Sequence, residues 1–302
     1  MNQDIVRKTI KILKDGGIVI YPTDTAFGIG CRMDDKQAVD RLFAIRKRPR
    51  TQATPVLVAS TEMALAYYLN PSEIVRHLMR KHWPGALTII APCKKKLVYS
   101  PIRGGSNTIG LRMPNHDAVL ELIRGVGVPI LGPSANFHGH PTPYRFKDLD
   151  PDLIKLVDFV LPGESSVGMA STVVNCSVNP YQIVRQGSIV LKEITIVIDS
   201  SGSEAIRVAL ETSGGESYEF KEPVSRAKAQ EVLPMIEELL MKHELMFDDV
   251  AAIKVHTGPG SYTGLRVGIA IANMLGILLG VPINGLAVGQ TVTPQYEGDR
   301  YL

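Results

Sequence analysis

The sequence predicts an α/β protein built of two consecutive units, on three observations. Short apolar runs alternate with longer segments whose apolar residues recur at helical spacing, as strands interleaved with helices do. Polar turns follow first-half strand runs at their C-terminal ends, where α/β sheets hold ligands. Thr23-Asp24-Thr25 follows residues 18–21 in this way, and Gly132-Pro133-Ser134 follows residues 128–131. Gln186-Gly187-Ser188 then interrupts the pattern, which restarts at Ile194. The boundaries expected are 1–189 and 194–302.

In order, residues 5–15 read as a helix stopped by Gly16-Gly17. Residues 18–21 read as a buried strand ended by Pro22. A helix over 36–44 delivers a basic stretch, and 55–59 is a strand. Residues 61–69 and 74–82 are helices, Trp83-Pro84-Gly85 is a turn, and 87–90 is a strand. The Lys-, Gly- and Ser-rich segment 94–107 reads as a loop. Residues 108–112 alternate as a strand does, 117–124 are helical, and 128–131 form a strand. The Gly-, His- and Pro-rich segment 137–144 reads as a mobile loop. Strands at 157–161, 172–176 and 181–185 complete the first unit, whose sheet is expected to be at least partly parallel. In the second unit, strands at 194–198, 206–210 and 217–220 form a meander. A long helix from Ser225 or Arg226 to 243 leads to a strand at 250–255. Gly258-Pro259-Gly260-Ser261 makes a tight turn, and 262–279 reads as a buried helix.

The chain has 302 residues, enough for two ordinary domains. Its 45% hydrophobic content supplies cores, and 21% charge does not mark disorder. A net charge of +3 falls short of a dedicated nucleic-acid binder, leaving only weak or indirect RNA contact. Cys31, Cys93 and Cys176 are far apart and form no CxxC pair, so they read as reduced thiols rather than a zinc ribbon. The N-terminus has no signal-peptide core, and no uncharged run reaches membrane-spanning length. A cytoplasmic location without membrane contact is the expectation.

Chemistry concentrates in a few stretches. Arg46-Lys47-Arg48-Pro49-Arg50 crowds four cations at a turn, a setting for a strong anion. Taken alone it is a solvated patch. Hydroxyl- and amide-bearing turns at Thr23-Asp24-Thr25, Ser134-Ala135-Asn136 and Ser171-Thr172 change that weight. No Cys–His or Ser–His pair stands out. His138 and His140 lack a third ligand nearby, so no metal site is assigned.

These stretches resemble, in order, the motifs of the threonylcarbamoyl-AMP synthase family of the YrdC type. Tyr21-Pro22-Thr23-Asp24-Thr25-Ala26-Phe27-Gly28-Ile29-Gly30 is similar to its YPTDTVYGLG, and residues 82–88 to its WPGPLT. Leu111-Arg112-Met113-Pro114 matches VRxP, and Ser134-Ala135-Asn136 matches the SxN of the KxR/SxN signature. Ser171-Thr172-Val173 and Val184-Arg185-Gln186-Gly187 close the series. The KxR motif departs: Arg46 stands where the family has Lys, with Arg48 as its Arg. The segment 52–55 is longer than usual, and no role is carried over from it. The resemblance implies a twisted open α/β sheet. It implies formation of threonylcarbamoyl-AMP and diphosphate from ATP, L-threonine and bicarbonate, with Mg²⁺ on the phosphates. That is the first step towards N6-threonylcarbamoyladenosine in tRNA. By the same resemblance Thr25, Arg112 and Ser171 would hold threonine, and Arg46 and Arg48 would face the phosphates catalytically. Thr108, Ser134, Asn136 and Arg185 would line the nucleotide with Arg48.

The second half resembles another family. Gly258-Pro259-Gly260-Ser261-Tyr262-Thr263-Gly264-Leu265-Arg266-Val267-Gly268 is similar to the GPGSFTGLRIG signature of TsaB. Residues 194–201 resemble its opening IDTS strand, and 230–236 its HSxxLLPxI helix, with Gln230 replacing part of the HS pair. This implies the N-terminal subdomain of an actin/RNase H-like fold with no ATP site of its own. Docking onto a TsaD-like transferase, or a homodimer, is its implied task. Two other readings stand beside this one. One is an RNA-binding or ribosome-assembly module using Arg46–Arg50. The other is a carbamoyl-adenylate-forming enzyme, which usually carries zinc-finger cysteines.

Overall fold

The computed structural model describes residues 3–166, 168–178, 181–191, 194–212, 215–223 and 228–296. The chain divides into two compact units between Val190 and Leu191.

In the first unit, α1 (Gln3–Lys14) buries Val6, Thr9 and Leu13 at helical spacing and leads into β1 (Val19–Pro22), wholly buried. A strand absent from the sequence reading follows: β2 (Phe27–Gly30), antiparallel to β1. Its two glycines hide it from β propensity, yet both serve close packing. A Cβ on Gly28 would lie 2.9 Å from the Tyr21 ring, and one on Gly30 would lie 1.9 Å from the Leu131 carbonyl oxygen.

Next come α2 (Lys36–Ile45), β3 (Val56–Leu57), α3 (Thr61–Tyr67), α4 (Glu73–His82) and β4 (Leu87–Pro92). The Asp35 carboxylate caps α2 by accepting from the Gln37 and Ala38 amides. The predicted loop 94–107 holds two short 3₁₀ turns, Lys95–Leu97 and Ser100–Arg103. The unit ends with β5 (Thr108–Arg112), α5 (Asp117–Val126), β6 (Ile130–Leu131), α6 (Pro151–Ile154), β7 (Phe159–Val160), β8 (Thr172–Asn175) and β9 (Gln182–Arg185). The sheet is mixed and runs as two. One has the order β2-β1-β7, the other β6-β3-β5-β4-β8-β9. Parallel pairing occurs at β1·β7, β3·β5 and β4·β8. The two sheets meet where β2 runs against β6 and its exit: Gly28 faces Ser134, and the Ala135 amide donates to the Phe27 carbonyl at 2.8 Å. That meeting brings the Thr23–Thr25 turn beside the Ser134 turn.

In the second unit, β10 (Ile194–Asp199), β11 (Ala205–Thr212) and β12 (Ser217–Pro223) form the antiparallel meander. The helix α7 (Lys228–Lys242) crosses to β13 (Val250–Val255), parallel to β10. The predicted start of α7 at Ser225 or Arg226 lies outside the described residues. Helix α8 (Tyr262–Leu279) is capped by Ser261. A Cβ on Gly264 would lie 2.0 Å from the Ser200 carbonyl oxygen, and one on Gly268 would lie 2.3 Å from Ser200 Oγ. These glycines let α8 lie directly on the end of β10. The expectation of a buried α8 is corrected. Leu265, Ile269, Ala272 and Leu275 are buried, while Ile277 and Leu278 are 59% and 68% exposed. From Met274 to Leu279 the helix is apolar on every side, so periodicity does not distinguish its faces there. By length and composition it could also cross a membrane.

Candidate active site

A cavity of about 300 Å³ opens where the two sheets of the first unit meet. Its size is at the lower end of the range for small-molecule sites. Of the nine residues singled out from the sequence, eight line it: Thr25, Arg46, Arg48, Thr108, Arg112, Ser134, Ser171 and Arg185. Asn136 is buried behind Arg46 and Ser134 and is hydrogen-bonded to both.

At one end stands Arg112, buried at the C-terminus of β5. Its three nitrogens are all placed. Nε donates to the Gly85 carbonyl at 3.0 Å, Nη1 to Thr25 Oγ1 at 2.7 Å, and Nη2 to the Asp24 carboxylate. Burial pulls this guanidinium below its ordinary value, and Asp24 pulls it back up. Thr23 shapes the turn that carries Asp24 and Thr25. Its hydroxyl donates to the Ala26 carbonyl at 2.7 Å and accepts from the Thr25 and Ala26 amides. Beside this end, Ser171 Oγ lies 3.0 Å from Thr88 Oγ1. Arg185 donates to Ser171 Oγ at 3.0 Å and, through Nη2, to its carbonyl at 2.8 Å.

At the other end Arg46 caps α2, where a cation suits the helix C-terminus. Nε donates to the Asn136 carbonyl at 3.0 Å and Nη2 to Asn136 Oδ1 at 3.1 Å, while Ser134 Oγ donates to the same Oδ1 at 2.7 Å. Arg46 Nη1 is buried without a partner. Burial, reinforced by the charge of Arg48, pushes the Arg46 pKa down to about 10. Arg48 folds over its own loop, donating to the carbonyls of Gln52 and Ala53. The rest of the basic stretch is not in the lining. Lys47, at φ +53°, holds its ammonium 5.2 Å from the Phe137 ring centre, and Arg50 pairs with Asp40 at 2.9 Å.

Four guanidiniums and no carboxylate line the cavity. Asp24 compensates Arg112 from behind, and Arg46, Arg48 and Arg185 face the cavity without an acidic partner in the lining. Such a site is electrostatically unfinished until an anion enters. Among the described residues, no three His, Cys, Asp or Glu side chains are grouped to hold a metal ion. His138 and His140 are exposed, and the His140 ring packs edge-on against Phe137.

A sequence model of the Sua5/YciO/YrdC family, described as telomere recombination, matches residues 11–187. The chain belongs to this family. Among the family's curated members, the threonylcarbamoyl-AMP synthase of Bacillus subtilis is 32% identical over 201 residues, 65% of this chain and 57% of the relative. That of Pyrococcus abyssi is 32% identical over 194 residues, 64% of this chain and 57% of the relative. The chain thus spans 57% of the length of each of these two. The crystal structure of P. abyssi Sua5 complexed with L-threonine shares the fold, with a TM-score of 0.61, 21% identity, and coverage of 94% of this chain and 89% of that one. A second model, described as tRNA N6-adenosine threonylcarbamoyltransferase (TsaD), matches residues 222–291.

The Sua5/YciO/YrdC motifs located the guanidiniums but missed several neutral groups in the lining. Thr88 closes the motif at residues 82–88 and could have been read from it. Thr142 sits in the segment 137–144, whose composition reads as a mobile loop. Thr54, whose buried hydroxyl has no partner, sits in the lengthened segment 52–55, which the family pattern does not cover. The ion pair of Asp24 with Arg112 joins residues 88 apart in sequence, and no local pattern shows it.

Proposed function

We propose that the first unit is an L-threonylcarbamoyladenylate synthase in tRNA N6-threonylcarbamoyladenosine biosynthesis. The observation that carries this reading is a cavity lined by four guanidiniums and several hydroxyls, with no carboxylate, in a family whose relatives are named for that reaction. The guanidiniums suit a triphosphate at the Arg46–Arg48 end. The hydroxyls of Thr25 and Ser171 beside Arg112 suit a small hydroxylated amino acid.

The chemistry needs no protein nucleophile. Threonine gives up an ammonium proton to solvent, and its amine adds to bicarbonate with loss of water, leaving a carbamate. The carbamate oxygen attacks the α-phosphorus of ATP, and the bond to the β-phosphate breaks to release diphosphate. Alignment of the two reactants and stabilisation of charge on the phosphates are what the protein supplies. Arg46 and Arg48 supply the charge, Arg112 and Thr25 hold the amino acid, and Thr108, Ser134 and Arg185 hold the nucleotide. All three cysteines are buried, and burial raises the Cys31 thiol far above its ordinary value and the Cys176 thiol to about 12, so neither serves as a thiolate. The guanidiniums and hydroxyls are not a ligand set for Mg²⁺, which would enter on the phosphates as part of the substrate.

For the second unit we propose a TsaB-like module that docks a TsaD-type transferase. The match over 222–291 supports this, and so do the exposed apolar side chains of Met241 on α7 and of Ile277 and Leu278 on α8. Tethering would deliver a labile acyl phosphate to its consumer at high local concentration.

Purified protein is expected to release diphosphate from ATP only when threonine and bicarbonate are both present, as followed by a coupled diphosphate assay. Dependence on carbamoyl phosphate in place of threonine would move the assignment to a carbamoyl-adenylate former. No release under any combination would favour a binding module.

A further inference from the structure

We infer that Gly110 marks the place where the two substrates meet, and that its bare backbone is what lets them approach. The inference rests on the synthase reading above. Three glycines line the cavity: Gly28, Gly110 and Gly132. Two are required by the fold. A Cβ on Gly28 would lie 2.9 Å from the Tyr21 ring, and one on Gly132 would lie 2.4 Å from Leu57 Cγ. Gly110 differs. Its added Cβ would meet Thr88 Cγ2 at 3.4 Å and Ile90 Cγ1 at 3.5 Å, both ordinary contacts, with no backbone atom among its near neighbours. Glycine in a strand interior weakens the strand. The protein carries that weakness where its packing has room for a methyl group. What a side chain would remove is space in the cavity.

Two independent features put the junction there. Strand β5 alternates, so Thr108, Gly110 and Arg112 line the cavity while Ile109 and Leu111 are buried on the other side. Thr108 and Arg112 are the nucleotide and amino-acid groups, about 14 Å apart along an extended strand, and Gly110 is midway. From the neighbouring strand, Thr88 contacts the position of the Gly110 side chain and also bonds Ser171, which accepts from Arg185. Ser171 is proposed to hold the amino acid and Arg185 the nucleotide, so one hydrogen-bonded chain joins a group for each substrate beside Gly110. The carbamate oxygen must come within roughly 3–3.5 Å of the α-phosphorus. A side chain rising from β5 at this point holds the two apart.

The test compares wild type with Gly110→Ala and Gly110→Val. Thermal unfolding, calorimetric binding of ATP alone and of threonine alone, and diphosphate release at saturation are measured. Expected are unfolding midpoints no lower than wild type and single-substrate affinities within about 3-fold. Turnover is expected to fall about 10-fold for Ala and 100-fold or more for Val. Unchanged turnover in Gly110→Val overturns the inference alone. So does loss of one substrate's own affinity in step with turnover, which would put Gly110 beneath that ligand. A lowered midpoint in both variants assigns the glycine to the fold. A wild-type protein that releases no diphosphate overturns the synthase reading and this inference with it.

Discussion

Arg112→Ala is expected to abolish threonine-dependent turnover and to lower the thermal unfolding midpoint of the first unit by roughly 10 °C. The pair it breaks is buried on both sides, and its three donors reach Gly85, Thr25 and Asp24. Removing the guanidinium leaves the Asp24 carboxylate without its cation, at a cost of about 3–5 kcal/mol. The Asp24→Leu/Arg112→Leu double variant separates the two roles. With both charges gone, most of the lost stability is expected to return, because two apolar side chains can replace a buried ion pair. Turnover is expected to stay absent, since no fork remains for the amino-acid carboxylate. Differential scanning calorimetry beside the diphosphate assay reads both. A double variant that regained activity with stability would make Arg112 a purely structural residue.

Arg46→Ala is expected to behave in the opposite way. Nucleotide affinity should fall about 30- to 100-fold, the equivalent of one charge-assisted contact of about 2–3 kcal/mol. Stability should hold or rise. Arg46 is buried with one nitrogen unpaired and Arg48 as a like-charged neighbour, and no carboxylate bonds it. Asn136 Oδ1 keeps its bond from Ser134 when Arg46 is gone. A residue that weakens the free protein and strengthens the complex is one kept for its ligand. Arg46→Lys should fall between the two. It preserves the charge but cannot span Asn136 O and Oδ1 with one fork. Titration calorimetry with ATP and thermal unfolding of the free protein measure the pair of effects. A destabilised Arg46→Ala that bound ATP normally would make Arg46 a tether for the Asn136 turn.

Much of this was legible in the sequence because it is local. Helical spacing gave α1, α2 and α5, and strand alternation gave β5 with Thr108 and Arg112 on one face. Ordered motifs gave seven lining residues, and the strand that leads into the Arg112 motif gave Thr108. What escaped depends on distant contacts. Strand β2 was hidden because its glycines answer to Tyr21 and Leu131, not to strand propensity. Thr54 and Thr142 come from segments whose composition says only loop. The basic stretch drew notice as four cations, yet Lys47 and Arg50 are taken up by Phe137 and Asp40, and only Arg46 and Arg48 turn inward. Which cations of a cluster face a cavity is set by the helix that ends there, and composition does not record it. The sequence gives α8 apolar faces for both core and partner, but its last turns, apolar on every side, carry no mark of which side the sheet will cover.

The synthase makes one adenylated product, and isotope tracing reaches it directly. Incubation with ATP, L-threonine and ¹³C-bicarbonate, followed at once by mass spectrometry, should show an AMP adduct of threonine carrying a single ¹³C at the carbamoyl carbon. An adduct without the label, an adduct formed without threonine, or nucleotide recovered only as ATP would contradict the synthase reading.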